Sequence, residues 1–321
     1  MTISFHMSVN LTQPAPLWQQ LTPELLVGSS ASGACSCPEG LGMGQTPPAP
    51  SGWKSIATQP LLIVVGLTGS GKSTTIAALT EHGCNFTLLP NRRVLTDQLI
   101  VPAMAKANGG QVSSTCRIER LKYARQYRQQ FAGGMAHILA QLMVKETGSL
   151  LVFDGLRGED EVNYAAKALP KAKFILLEAS FQVRLLRLLT RNDAFDKIAF
   201  SSLDKAKAEV DTEAFSSFAS LGIPEASDIF TLAEERQLLA LARQGMFSWQ
   251  DLQSKLKIVV SERYNYDPVA TRSALLALAS DRTLAIDTTE HTPQQVAHLV
   301  IAQIQDRADL LQGRHDPSNA Y

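Results

Sequence analysis

Eight consecutive residues, Gly66-Leu67-Thr68-Gly69-Ser70-Gly71-Lys72-Ser73, carry the pattern G-x-x-x-x-G-K-S. The apolar run Leu61-Leu62-Ile63-Val64-Val65 precedes them, and the helix-compatible stretch Thr74-Thr75-Ile76-Ala77-Ala78-Leu79 follows. A strand, a glycine-rich loop and a helix form the setting in which this pattern has a mechanism. The glycines let the backbone wind tightly and turn its N–H groups toward a polyphosphate, and the helix N-terminus adds partial positive charge. On this reading Gly66, Thr68, Gly69, Ser70, Gly71, Lys72, Ser73 and Thr74 cradle the phosphates of a nucleoside triphosphate. Lys72 would reach the β- and γ-phosphates, and the Ser73 hydroxyl would ligate Mg²⁺. The fixed positions recur by chance on the order of once per hundred chains of this length, so the motif is specific.

The 321 residues suffice for one large domain or two ordinary ones. Lysines plus arginines number 30, as do aspartates plus glutamates, so no global basic field points to nucleic acid. No apolar run approaches the ~20 residues of a membrane span. The N-terminus Met1-Thr2-Ile3-Ser4-Phe5-His6 lacks the basic and apolar regions of a secretory signal. Cys35, Cys37, Cys84 and Cys116 have neither knuckle spacing nor a nearby histidine partner, which suits free thiols in a cytoplasmic protein.

Residues 1–57 are rich in Ser, Gly and Pro with little periodicity, as in Pro47-Pro48-Ala49-Pro50, and read as a disordered extension. Met43 is a candidate alternative start. From residue 58 the pattern changes to short apolar runs separated by helical stretches: Leu61–Val65, Phe86–Leu89, Leu150–Phe153, Phe174–Leu177 and Thr283–Ile286. That alternation predicts an α/β fold with a five-stranded parallel sheet covered by helices on both faces. Helices are expected over Arg117–Phe131, Met135–Lys145, Glu161–Leu169 and Phe181–Thr190. Residues 196–281 show no strand and read as a helical insertion or lid, with short helices at Phe215–Leu221, Leu232–Ala242, Trp249–Val259 and Ala270–Ala279. Residues 58–195 and 282–313 then form the core, with a flexible tail at 314–321. Thr292, Pro293 and Gln295 have the spacing of a helix cap with a capping box.

The run Ser149-Leu150-Leu151-Val152-Phe153-Asp154 ends an apolar strand on a carboxylate, where a phosphate-loop enzyme needs a second Mg²⁺ ligand. Gly155 follows, not the glutamate with which motor-type ATPases activate water, and no N-K-x-D guanine-reading motif is present. An enzyme with no water-activating residue is better suited to transfer phosphate to an acceptor than to hydrolyse it.

Asp154-Gly155-Leu156-Arg157 resembles the D-G-x-P-R segment of nucleoside monophosphate kinases, one residue shorter and without the proline. It is closer to the D-G-[IL]-R segment of ATPases similar to dephospho-coenzyme A kinase. Arg184, Arg187 and Arg191 resemble the R-x-x-R-x-x-x-R helix that leads into the lid of such kinases, and Ile286-Asp287-Thr288-Thr289 resembles their I-D-T-[ST] ending. The resemblance spans roughly residues 58–195 and 282–305 and implies a P-loop NTPase core that uses ATP. Arg187 and Arg191, four apart on one helix face, would neutralise the transferring phosphoryl group together with Lys72 and Asp154. The acceptor side is expected after the second strand, where Arg92 and Arg93 lie in a turn, with Arg157 as a third contact. Arg125 and Arg128 are weaker candidates. Trp249, Tyr264 and Tyr266 read as fillers of a small helical core, and His82, His137, His291 and His298 as surface or capping residues.

Two functions remain in view. One is a Mg-ATP phosphotransferase acting on an unidentified small anionic acceptor. The other is an ATP-dependent regulatory or scaffold protein whose nucleotide state orders the insertion for a protein partner.

Overall fold

The computed structural model describes residues 41–43, 52–109, 117–145, 149–191 and 215–312. Cys35, Cys37, Cys116, the tail at 314–321 and most of the expected N-terminal extension lie outside them.

Five strands form the main sheet: β3 (Leu61–Val65), β4 (Phe86–Leu88), β6 (Leu150–Leu156), β7 (Ala172–Glu178) and β8 (Thr283–Asp287), in the order β4-β6-β3-β7-β8. All pairs are parallel. Each apolar run of the sequence thus became a strand, as expected. β3 is buried along its whole length, and alternate side chains serve opposite faces. Leu61, Ile63 and Val65 join a cluster with Phe153, Phe174, Met104 and Met135, while Leu62 and Val64 join Ile175, Leu79, Ala297 and Val300. The first face is covered by α3 (Val101–Ala107), α5 (Met135–Ala140), α6 (Glu159–Ala168) and α10 (Pro268–Ala279); the second by α1 (Lys72–Glu81) and α11 (Pro293–Gln312). The chain leaves central β3 toward β4 and β6 on one side, then crosses to β7 and β8 on the other. The C-terminal end of β3 is therefore the switch point where open α/β sheets bind ligands.

Several expectations need correction. Within residues 1–57, which the sequence marks as a disordered extension, the described β1 (Leu41–Met43) and β2 (Trp53–Ser55) flank β5 (Leu142–Lys145) in a small antiparallel sheet. The following turn buries Ile56 completely. β5 itself lies in the stretch expected to continue the helix from Met135; the helix stops at Ala140. Phe215–Leu221 forms turns rather than a helix, anchored by Phe218. The boundary expected at residue 281 is also displaced. α10 puts Leu275 and Ala279 into the main core, so the separately packed part consists of α8 (Leu232–Arg243), α9 (Trp249–Asn265) and the turns before them. Their apolar core includes Leu185 and Leu188 of α7 (Phe181–Thr190). The arginine-bearing helix and the insertion are consequently one packed unit.

Candidate active site

The phosphate loop runs from β3 into α1. Gly71, at φ 96°, is the helix N-cap and contributes no side-chain cap, which leaves the first amides of α1 for a ligand. Gly69 has φ 83° and passes so close to α7 that an added Cβ would sit 2.8 Å from the Arg184 carbonyl oxygen. Ser70 is buried, and its Oγ has no hydrogen-bond partner. Lys72 Nζ donates to the carbonyl oxygens of Gly66 (2.7 Å) and Leu67 (2.9 Å). Burial and the neighbouring Arg157 push its pKa down to about 7, against the opposing pull of Glu262 and Asp154.

Asp154 reaches the cleft through an irregularity of β6. Between the pairs Ile63–Phe153 and Val65–Leu156, β6 advances three residues while β3 advances two. Such a bulge re-aims a side chain at a functional edge. Asp154, Thr68, Gly69, Gly71, Lys72, Ser73 and Thr74 all line a cleft of about 1220 Å³. Among the described residues nine lysines and arginines and two acids, Asp154 and Glu262, line it, with Glu161 and Asp97 paired to Arg92 and Arg120 from outside the lining, in a chain of zero net charge. The cleft is therefore a concentrated site for anions.

The loop is braced from two directions. Arg184, 2% exposed, donates through Nε to Thr68 O (2.8 Å) and through Nη2 to Glu262. Arg187 donates to Gly69 O (3.2 Å), Thr288 Oγ1 (2.8 Å) and Thr288 O (2.7 Å). Thr288 Oγ1 in turn lies 3.1 Å from Ser70 O and 2.9 Å from Glu178 O. The Asp287-Thr288 ending of β8 thus ties the last strand to the loop. Arg184 and Arg187, three apart, share the face toward the loop. Arg191 was expected on the same helix face, but it ends α7 with extended backbone (φ −86°, ψ 121°). Both Arg187 and Arg191 line the cleft.

Arg92, expected as an acceptor contact, lines the cleft and is held there by an acid. It forms a two-pronged ion pair with Glu161 (2.7 Å to each oxygen) and donates to Gly155 O (2.9 Å). Desolvation disfavours its charge, but the Glu161 carboxylate outweighs that and raises its pKa. Its guanidinium secures the Asp154–Gly155 segment. Arg93 lines the cleft beside Asn91, Arg120 and Arg128, with Arg120 paired to Asp97. Arg157 also lines it and donates to Glu262 (2.7 Å). Tyr266, expected as core filler, instead lines the cleft, with Arg128 5.8 Å from its ring centroid.

Sequence reasoning missed Glu262. Its carboxylate, 6% exposed at the end of α9, accepts from Thr68 N (3.0 Å), Thr68 Oγ1, Arg157 and Arg184. Burial alone would raise its pKa, but Arg157, Arg184 and the Thr68 hydroxyl hold it below the usual carboxylate range. No local pattern could reveal a partner 194 residues away.

These residues suit a magnesium-bound polyphosphate. The Ser70 hydroxyl is an orphaned polar group at the loop, and Ser73 and Asp154 share the cleft as hard oxygen ligands. Among the described residues no three His, Cys, Asp or Glu side chains cluster as metal ligands. No described helix is long and apolar enough to cross a membrane.

No curated protein matches the sequence. Among solved structures, a shikimate kinase from Acinetobacter baumannii in complex with shikimate is 12% identical, with TM-score 0.32, covering 78% of this chain and 96% of that one. An unliganded sugar kinase from Janibacter sp. HTCC2649 is 11% identical, with TM-score 0.30, covering 77% and 95%. Residues 62–212 match the family model described as an AAA domain. That segment begins in β3 and contains the loop, Asp154 and the arginine helix, so this part of the chain is similar to that family.

Proposed function

We propose that the chain transfers the γ-phosphate of Mg-ATP to a small anionic acceptor. The observation that supports this reading is a continuous cleft that, among the described residues, runs from the phosphate loop to Arg93 and Arg128 and is lined by more basic than acidic side chains. A hydrolase needs no second cationic end, whereas a kinase must hold an acceptor there. In this account the loop amides and Lys72 would bind the β- and γ-phosphates, and Ser73 and Asp154 would hold a Mg²⁺ ion, whose chemistry when bound is to offset phosphate charge. Arg157, Arg187 and Arg191 face the transferring group, and Arg93 with Arg128 binds the acceptor's anionic end.

A second reading, a regulatory ATPase whose nucleotide state is passed to a protein partner, is favoured by one observation: the insertion touches the loop through Glu262. A panel of phosphorylated and carboxylated metabolites, assayed for acceptor-dependent ADP release, separates the two. The kinase reading expects release that depends on one acceptor class. It also expects Arg191→Ala to lower kcat and Arg93→Ala chiefly to raise the acceptor KM. ADP release indifferent to every acceptor, and unchanged by both substitutions, would transfer the case to the regulatory reading.

A further inference from the structure

The donors around Glu262 are of the kind that bind a phosphoryl group: a loop amide, a hydroxyl and two guanidinium groups. Every one of them points at the same carboxylate, and both of its oxygens are engaged. The amide and hydroxyl belong to Thr68, inside the phosphate loop, and the carboxylate lines the same cleft as Lys72 and Ser73. Lys72, meanwhile, is turned back onto the carbonyls of Gly66 and Leu67. The loop is thus arranged around an anion supplied by the protein itself.

We propose that the position filled by the Glu262 carboxylate is the subsite for the terminal phosphoryl group of a nucleoside triphosphate, and that Glu262 is the internal anion which that group displaces. The inference rests on the triphosphate-binding reading above and adds to it a named competitor and a consequence for nucleotide selectivity. Charge favours the exchange. A carboxylate brings one negative charge to Arg157 and Arg184, whereas a terminal phosphoryl group brings close to two and three acceptor oxygens. Motion favours it as well. A glutamate swings out by rotating its own side-chain torsions, with no shift of α9, whose Leu252, Leu256 and Val259 stay packed in the insertion core. A diphosphate ends short of this subsite and has nothing to exchange with Glu262. The side chain therefore taxes the triphosphate and spares the diphosphate.

Calorimetry with ADP and with the non-hydrolysable β,γ-imido analogue of ATP tests this on the full chain and on Glu262→Gln. The amide keeps the size but cannot serve as an anion. The expected result is about tenfold tighter binding of the triphosphate analogue by Glu262→Gln, with ADP affinity changed less than threefold. Weaker binding of the analogue would overturn the proposal and make Glu262 a brace for the loop. Equal tightening of both nucleotides would also overturn it, because a general field effect would then suffice. If Glu262→Gln does not fold, carbodiimide labelling of the wild-type protein gives the answer. Glu262 should resist modification alone and with ADP, and become reactive with the triphosphate analogue; protection in all three states counts against displacement. Failure of wild-type and variant to bind either nucleotide would refute the triphosphate reading itself, a result distinct from binding without the selectivity change.

Discussion

Gly69→Ala offers a quantitative test of how the loop is packed. The residue sits at φ 83°, and a Cβ there would lie 2.8 Å from Arg184 O and 3.1 Å from Arg184 Cα. An L-residue in this left-handed region costs ~1–2 kcal/mol. The contact is with backbone, so α7 or the loop must move, and overpacking of that kind adds ~1–3 kcal/mol. Gly245→Ala is the internal control: its φ is 76°, and nothing lies within 4 Å of the added Cβ. It should show only the conformational cost, ~1–2 kcal/mol. Urea denaturation should therefore place Gly69→Ala below Gly245→Ala by ~1–3 kcal/mol. Triphosphate affinity should fall more than about tenfold in the first and stay within twofold in the second. Equal stabilities together with unchanged nucleotide affinity for Gly69→Ala would refute the close approach of loop and arginine helix.

Lys72→Ala should abolish measurable triphosphate binding while the denaturation midpoint stays close to wild type, since its ammonium serves the loop and not the core; retained affinity by calorimetry would contradict this. Truncation before residue 41 should leave thermal stability unchanged, whereas truncation before residue 60 removes fully buried Ile56 and β2 and should lower stability by ~2–5 kcal/mol. His137 has its pKa lowered by burial, and its Nδ1 lies 2.8 Å from the Tyr127 hydroxyl. The unfolded chain takes up a proton near pH 6.5 that the folded chain resists, so stability should fall as the pH drops below that value. Melting curves from pH 7.5 to 5.5 should show a shallower loss for His137→Gln; identical slopes would remove His137 from the acid response.

The parts of the site legible in the sequence are those built from contiguous residues. The loop between β3 and α1 and the apolar run that carries Asp154 need only local pattern, although the strand continues past the expected end at Asp154 to Leu156. The capping box at Thr292 and Gln295 also formed as spaced, with Thr292 N donating to Gln295 Oε1 at 2.8 Å. What was illegible depended on distant partners. Arg92 follows a strand and reads as a ligand contact until Glu161, brought in by α6, claims it. Glu262 is one charged residue among many on a helix until α9 delivers it to Thr68. β5 was hidden because Leu142–Lys145 offers only four residues of alternation directly after a helix. Composition misled at Trp53–Ser55, where a short strand needs little hydrophobicity once β5 supplies the hydrogen bonds.

The central claim, that one cleft holds both a triphosphate and an anionic acceptor, is tested most directly by following the γ-phosphate. ATP labelled in that position, incubated with the protein, Mg²⁺ and a panel of anionic metabolites, should deliver its label to one acceptor class, and Lys72→Ala should abolish the transfer. Label recovered only as inorganic phosphate, at a rate no acceptor alters, would contradict the account.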